Sequence, residues 1–271
     1  MDTLFLQDTL GKKYRVTFRR HHKFEFGDFY VSDNSVTFIV DEKYKSLSDN
    51  FIKITKFKYA SEKMEEEFSR YLPQIVGNFN TQNKQVVIIK KTQDLLLLKD
   101  VMEWLSKAKD IDRYVAWIIS TLLNLNCYLK YMGISHNDIS VNTYFISPIH
   151  HSGFLFGGWW YSSLVGEKLH ALPRSTMNLT SSRVLSSKIA TKEIDQELIK
   201  NVGRTLLGDD TGMRLKRKAP ETFVSWLRHP SDKNDFDEYS AWDGVLEQSF
   251  GGRRFVKMEI DADMIYGRGI K

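Results

Sequence analysis

The stretch His136-Asn137-Asp138-Ile139-Ser140-Val141-Asn142-Thr143-Tyr144-Phe145 decides how this chain is read. Before it, from Asp110 to Met132, Ile111, Val115, Ile118, Ile119, Leu122, Leu123 and Leu129 recur at helical spacing. They predict a helix of about six turns, which Gly133 stops. After it comes a short apolar run, Gly153-Phe154-Leu155-Phe156-Gly157. Two short strands are predicted around Tyr144-Phe145-Ile146 and Phe154-Leu155-Phe156. A polar turn carrying His, Asp and Asn therefore joins a long helix to a pair of strands.

Bulk properties narrow the class. At 271 residues the chain is long enough for one large core or for two lobes. Its 42% hydrophobic and 27% charged content is that of a globular protein and excludes the disordered regime. The single cysteine, Cys127, lies in a helical pattern, forms no intrachain disulfide and leaves no zinc-type Cys/His spacing. A reducing, cytoplasmic setting is expected. No apolar run reaches the ~18 residues of a membrane span, and the start Met1-Asp2-Thr3-Leu4 does not read as a signal peptide. The net charge of +5 favours anionic partners: a nucleotide, a nucleic acid or an acidic protein. Its densest basic clusters are Arg19-Arg20-His21-His22-Lys23 and Arg214-Leu215-Lys216-Arg217-Lys218, each short enough to be a solvated face.

The first hundred residues read mainly as strands. Tyr14–Phe18 and Ser35–Val40 alternate polar and apolar positions, and Phe26–Asn34 carries hairpin turn residues. Phe51-Ile52-Lys53-Ile54-Thr55-Lys56 reads as another strand with a lysine inside it. Ser61–Leu72 is predicted as a helix, with Met64, Phe68 and Leu72 forming one stripe and carboxylates loading its first half. Val86–Ile89 and Leu95–Leu98 are two further strands. Beyond residue 100 the patterns turn helical: Ile194–Leu207 forms a helix closed by Gly208, and Trp226, Leu227, Trp242, Val245 and Leu246 mark others. The segment 161–190 reads as loop. No internal repeat or low-complexity tract is present.

A His-x-Asp turn after a long helix, then an Asn, a strand and Phe-Gly resembles the catalytic region of the protein kinase family. The resemblance spans nearly the whole chain. It implies an α+β, bilobal protein kinase-like fold with a β-rich N-lobe over residues 1–100 and a mainly helical C-lobe over 101–271. The hinge is expected near Lys99 to Glu103. It further implies Asp138 and His136 as the catalytic-loop residues, His136 bracing the loop. Lys53 would contact the phosphates of ATP and pair with Glu65 or Glu66, and Asn142 would be the metal ligand. Asn142 lies four positions after Asp138 where kinases place the Asn at five, which is read as a one-residue deletion. The same offset puts Leu155 at the place of the metal-binding Asp.

Leucine offers magnesium no oxygen ligand, and Gly27 is the only glycine between Lys12 and Lys53, so the phosphate-cradling loop is missing as well. The resemblance thus points to a pseudokinase: a binding or regulatory module, with ATP as a possible ligand, magnesium disfavoured and a protein as the expected partner. Two alternatives stay open. One is a divergent ATP-dependent phosphotransferase using Asp138 and Asn142, and the other a nucleic-acid-binding protein on the same scaffold. Trp159 and Trp160 either cover the nucleotide cleft or pack as core.

Overall fold

The computed structural model describes residues 2–215, 218–231 and 233–267. Strands β1 (Asp2–Gln7) and β2 (Lys13–Phe18) form a separate antiparallel ribbon. A five-stranded antiparallel sheet follows, built from β3 (Arg20–Phe24), β4 (Gly27–Val31), β5 (Ser35–Asp41), β6 (Ile75–Asn80) and β7 (Lys84–Lys90), in the order β3-β4-β5-β7-β6. The central strand β5 has an almost unbroken apolar run, Val36 to Val40, because both of its faces are covered. The β3–β4 turn closes on Gly27, whose φ of 151° and Cα environment admit no side chain. A Cβ there would stand 2.1 Å from the Ile39 carbonyl oxygen.

Helix α1 (Lys45–Ile54) takes the place of the strand expected over 51–56. The Phe-Ile-Lys-Ile alternation is only the end of a longer stripe, Leu47, Phe51 and Ile54, spaced four and three apart. Phe51 is the buried member that fixes the helix to the sheet. Helix α2 (Glu62–Phe68) starts where the Ser61 hydroxyl accepts from the Met64 amide at 3.3 Å. It gives way to a 3-10 turn at Ser69–Tyr71, short of the expected Leu72.

The crossing to the helical part runs from Lys91 to Leu95. Lys91 is buried there and donates to the carbonyls of Thr92 at 2.8 Å and Asp33 at 3.2 Å, and burial brings its pKa down to about 8. Only Leu96–Leu97 of the next expected strand is extended, as β8, and helix α3 (Leu98–Lys107) begins at once. The predicted hinge, Lys99 to Glu103, therefore lies inside a helix. Apolar Leu98, Val101 and Leu105 are spaced three and four apart, which turns this segment into one.

The helical part is organised on α4 (Ile111–Tyr131), which packs against α7 (Lys192–Leu206) and α9 (Asp235–Phe250), with α8 (Glu221–Arg228) beside them. Between α4 and α7 lie β9 (Ile134–Ser135), β10 (Tyr144–Ser147), β11 (Ser152–Leu155) and β12 (Ser163–Leu164). β8, β10 and β11 form one small sheet and β9 pairs with β12. The segment expected as loop over 161–190 contains β12 and two short helices, α5 (Arg174–Leu179) and α6 (Ser182–Ser187). The final helix α10 (Ala262–Tyr266) returns to the N-terminal half. There the Tyr266 hydroxyl accepts from the Leu97 amide at 2.9 Å and Asp263 accepts from Arg19 at 2.6 Å. One continuous apolar core runs from the sheet through Trp160 to the helices. Among the described residues no helix is long and apolar enough to cross a membrane.

Candidate functional site

The turn after β9 is held from below. Asp195 on α7 accepts the amide of His136 at 2.9 Å and that of Asn137 at 2.8 Å, and Lys192 one turn earlier donates to the same carboxylate at 2.7 Å. Asn137 is thereby kept buried at φ 69°, the left-handed region that Asn tolerates. Its side-chain amide donates to the Tyr161 carbonyl at 2.8 Å. His136 accepts from the Asp138 amide through Nδ1 at 3.2 Å, so Nε2 carries the hydrogen and donates to the Gly157 carbonyl at 3.0 Å. Burial pushes His136 down to about 4, and it is a neutral brace between the turn and Phe156-Gly157.

Asp138 sits above this frame and faces a cavity of about 530 Å³ between the sheet and the helical part. Gly158 lies behind it at φ 82°, where a Cβ would stand 2.7 Å from the His136 ring and 2.9 Å from the Asp138 carboxylate. Burial raises the Asp138 carboxyl well above the usual carboxylate range, and the nearby Glu25 carboxylate adds to the rise. Glu25 comes from the β3–β4 turn and accepts the hydroxyl hydrogen of Tyr161. Burial and then that carboxylate drive the Tyr161 hydroxyl upward, so it remains a donor.

Aromatic rings form one wall of the cavity, and Lys23, Lys99, Asn201, Thr205 and Asp210 line other parts of it. Phe38 of β5 points into it, with its ring 5.4 Å from Trp160 and 6.5 Å from Phe51 of α1. Trp160 also lies 4.6 Å from Phe51 and 5.7 Å from Phe24. The side chain of Asn50 on α1 donates to the carbonyls of Trp160 at 3.2 Å and Ser162 at 3.0 Å, which fixes the segment to that helix. Trp159 faces the other way, edge-on to His136 at 4.7 Å and near Phe57 at 5.2 Å.

Of the residues singled out from sequence, Asp138 lines this cavity, His136 is buried beneath it as a brace, and Asn142 stands at the rim. Lys53, Glu65 and Glu66 do not line it. Lys53 projects from α1 into solvent, both glutamates are exposed on α2, and among the described residues no ion pair joins them. The cause is the misread period at 51–56. β5 is the third strand of the five-stranded sheet, and its cleft-facing residue is Phe38, not a lysine. Thr143 rather than Asn142 holds the loop together. Thr143, five positions after Asp138, is buried and donates to the Asp138 carbonyl at 2.8 Å, while its own carbonyl accepts from Gly157 at 3.0 Å. Asn142 is exposed. Leu155 is fully buried and paired with Tyr144. Sequence reasoning passed over Phe38, Phe51, Glu25, Tyr161 and Asp195. Only Asp195, an acid in the first turn of a helix, had a signal of its own.

A magnesium nucleotide asks for a cation at its phosphates and oxygen ligands at its metal. Here the strand position offers a phenyl ring, Leu155 is buried in the core and does not reach the cavity, and the Thr143 hydroxyl is already engaged. These residues do not fit that group.

The basic cluster at 19–23 is largely spent internally. Arg19 bonds Asp33 at 2.5 Å and Asp263 at 2.6 Å, His21 bonds Asp28 at 2.7 Å and His22 bonds Asp100 at 3.1 Å. In the second cluster Lys216 and Arg217 lie outside the described residues.

No protein-family model matches the chain, and no curated protein matches its sequence. Solved structures do match. The structure of vaccinia related kinase 3 is similar with a TM-score of 0.62 at 11% identity, over 92% of this chain and 91% of that one. The BubR1 kinase domain is similar with a TM-score of 0.52 at 14% identity, over 86% and 84% of the two chains. The chain has a protein kinase-like fold: a β-rich N-terminal part on a helical C-terminal part.

Proposed function

We propose that this kinase-like chain is a pseudokinase, a binding or regulatory module that performs no metal-dependent phosphoryl transfer at ordinary kinase rates. One observation carries the reading. The two positions that would supply the phosphate cation and the principal metal ligand are Phe38 and Leu155, and the rings of Trp160 and Phe51 pack around the first of them. Removing metal and cation together forfeits the electrostatic stabilisation that is the largest part of such catalysis. A protein partner in the cytoplasm suits the lone, buried Cys127, whose thiol burial pushes up to about 11 and leaves unreactive.

One observation favours a second reading, in which Asp138 and Asn142 support a divergent ATP-dependent transfer: the His136–Asp195 frame still presents Asp138 to an open cavity. Radiolabelled ATP decides between them, with magnesium or manganese, on the protein itself and on generic acceptors. No transfer and no ATP-induced rise in melting temperature are expected. Robust transfer that disappears in Asp138→Asn would establish the second reading.

A further inference from the structure

Lys53 lines a second cavity, of about 430 Å³, on the other side of α1 from the Asp138 site. The chain leaving that helix adds Lys56 and Lys58 to its rim, and the segment after β12 adds His170. All four side chains are exposed. Among the described residues none of the three lysines has an ion-pair partner, and Glu167 is the one carboxylate on the rim. The floor is apolar, formed by Ile54, Phe57, Met132 and Ile134, and it continues outward onto Leu164, which is 45% exposed. Ser163 forms part of the wall. It is 2% exposed, and its hydroxyl finds no hydrogen-bond partner in the protein.

A buried, unpaired hydroxyl is costly unless something completes it. Three unpaired ammonium groups around an apolar floor attract an anion that carries an apolar group. The cations are spread over six residues of chain and share the rim with His170, so they suit several separated carboxylates better than one compact anion. The volume lies in the range of sites that take one or two bulky side chains.

We infer that this cavity is the docking site for an acidic peptide segment of a protein partner, with an apolar side chain on the Phe57–Ile134 floor and its carboxylates on Lys53, Lys56 and Lys58. The inference deepens the reading of the chain as a binding module by naming the chemistry of its partner. It uses none of the residues around Asp138.

Fluorescence anisotropy with a short labelled peptide of Glu and Asp around a central Leu tests it on the full chain. Binding that weakens as salt rises is expected. The combined Lys53→Glu, Lys56→Glu and Lys58→Glu variant weakens it by about tenfold or more, with the melting temperature unchanged because all three are exposed. Leu164→Asp weakens it as well. Equal affinity for a neutral peptide with the same Leu, or unchanged binding in the triple variant, would overturn the inference. So would capture of phosphatidylserine vesicles with no binding of the peptide. A phosphoryl-transfer assay on the triple variant keeps the two proposals apart, since its outcome depends on the Asp138 cavity alone.

Discussion

The ring of Phe38 on the third strand of the sheet lies 6.5 Å from that of Phe51 on α1, with Trp160 packed against both. Kinases join the same strand and helix by a lysine–glutamate ion pair. Here the connection is apolar, and lysine at the strand position would replace a packed ring in a cavity that Glu25 and Asp138 also line. Phe38→Lys is expected to cost about 3–5 kcal/mol, as the loss of a buried aromatic ring does. Urea unfolding measures it. A stable Phe38→Lys protein that also gains ATP binding would show that the cavity is still a nucleotide site.

His136 and Asp138 give opposite pH dependences. His136 is depressed to about 4 from an unfolded value of about 6.5, so its stabilising contribution is present above pH ~6.5 and is lost as the pH falls towards 4. Asp138 is raised, so the folded state binds its proton more tightly than the unfolded chain does. That contribution is full below about pH 3.9 and is lost as the pH rises from there through the folded value. Asp138→Asn should therefore gain on the native protein as the pH increases. Paired melting curves from acid to neutral pH check this, and a constant difference between the two proteins would contradict it.

Asp195 holds two successive amides of the turn and the ammonium of Lys192, all of them buried. Asp195→Ala removes both acceptors and leaves Lys192 only the neutral oxygens of Asn126 and Ile134, and a loss of about 3–5 kcal/mol is expected. The loss should be visible in urea unfolding and in faster hydrogen exchange at His136 and Asn137. Slow exchange retained at both amides would mean that the turn has another support.

Gly158 has a positive φ and no room for a methyl group beside His136 and Asp138. Gly158→Ala should destabilise by about 1–3 kcal/mol through the strained backbone alone. Exposed Glu65, by contrast, should tolerate alanine within about 0.5 kcal/mol. Thermal unfolding of the two variants side by side measures the contrast.

The parts of this fold that sequence revealed are those with a long or exclusive period. Seven apolar positions over α4 admit only a helix, and the strands at 144–146 and 154–156 follow the polar turn too closely to be anything else. Lys53 shows the opposite case. Six residues that alternate satisfy a strand template, yet Leu47 and Phe51 just upstream complete a helical stripe with Ile54, and the longer pattern prevails. Which side chain holds the loop could not be read by counting, because the Thr143 hydroxyl and carbonyl bonds leave no mark on composition. Phe38 was invisible for another reason. An aromatic residue within an apolar strand reads as core, and only its meeting with Phe24, Phe51 and Trp160 from distant segments shows which cavity it closes.

The Phe38–Trp160–Phe51 wedge also sets how the position of α1 responds to its surroundings. An ion pair between strand and helix weakens in concentrated electrolyte and can be taken apart by a phosphate that competes for the lysine. An aromatic contact has no such competitor. Its strength follows heat capacity, falling on cooling and barely changing with ionic strength. The aromatic part of what holds helix α1, beside the Asn50 hydrogen bonds to the Trp160 and Ser162 carbonyls, therefore answers to temperature rather than to salt.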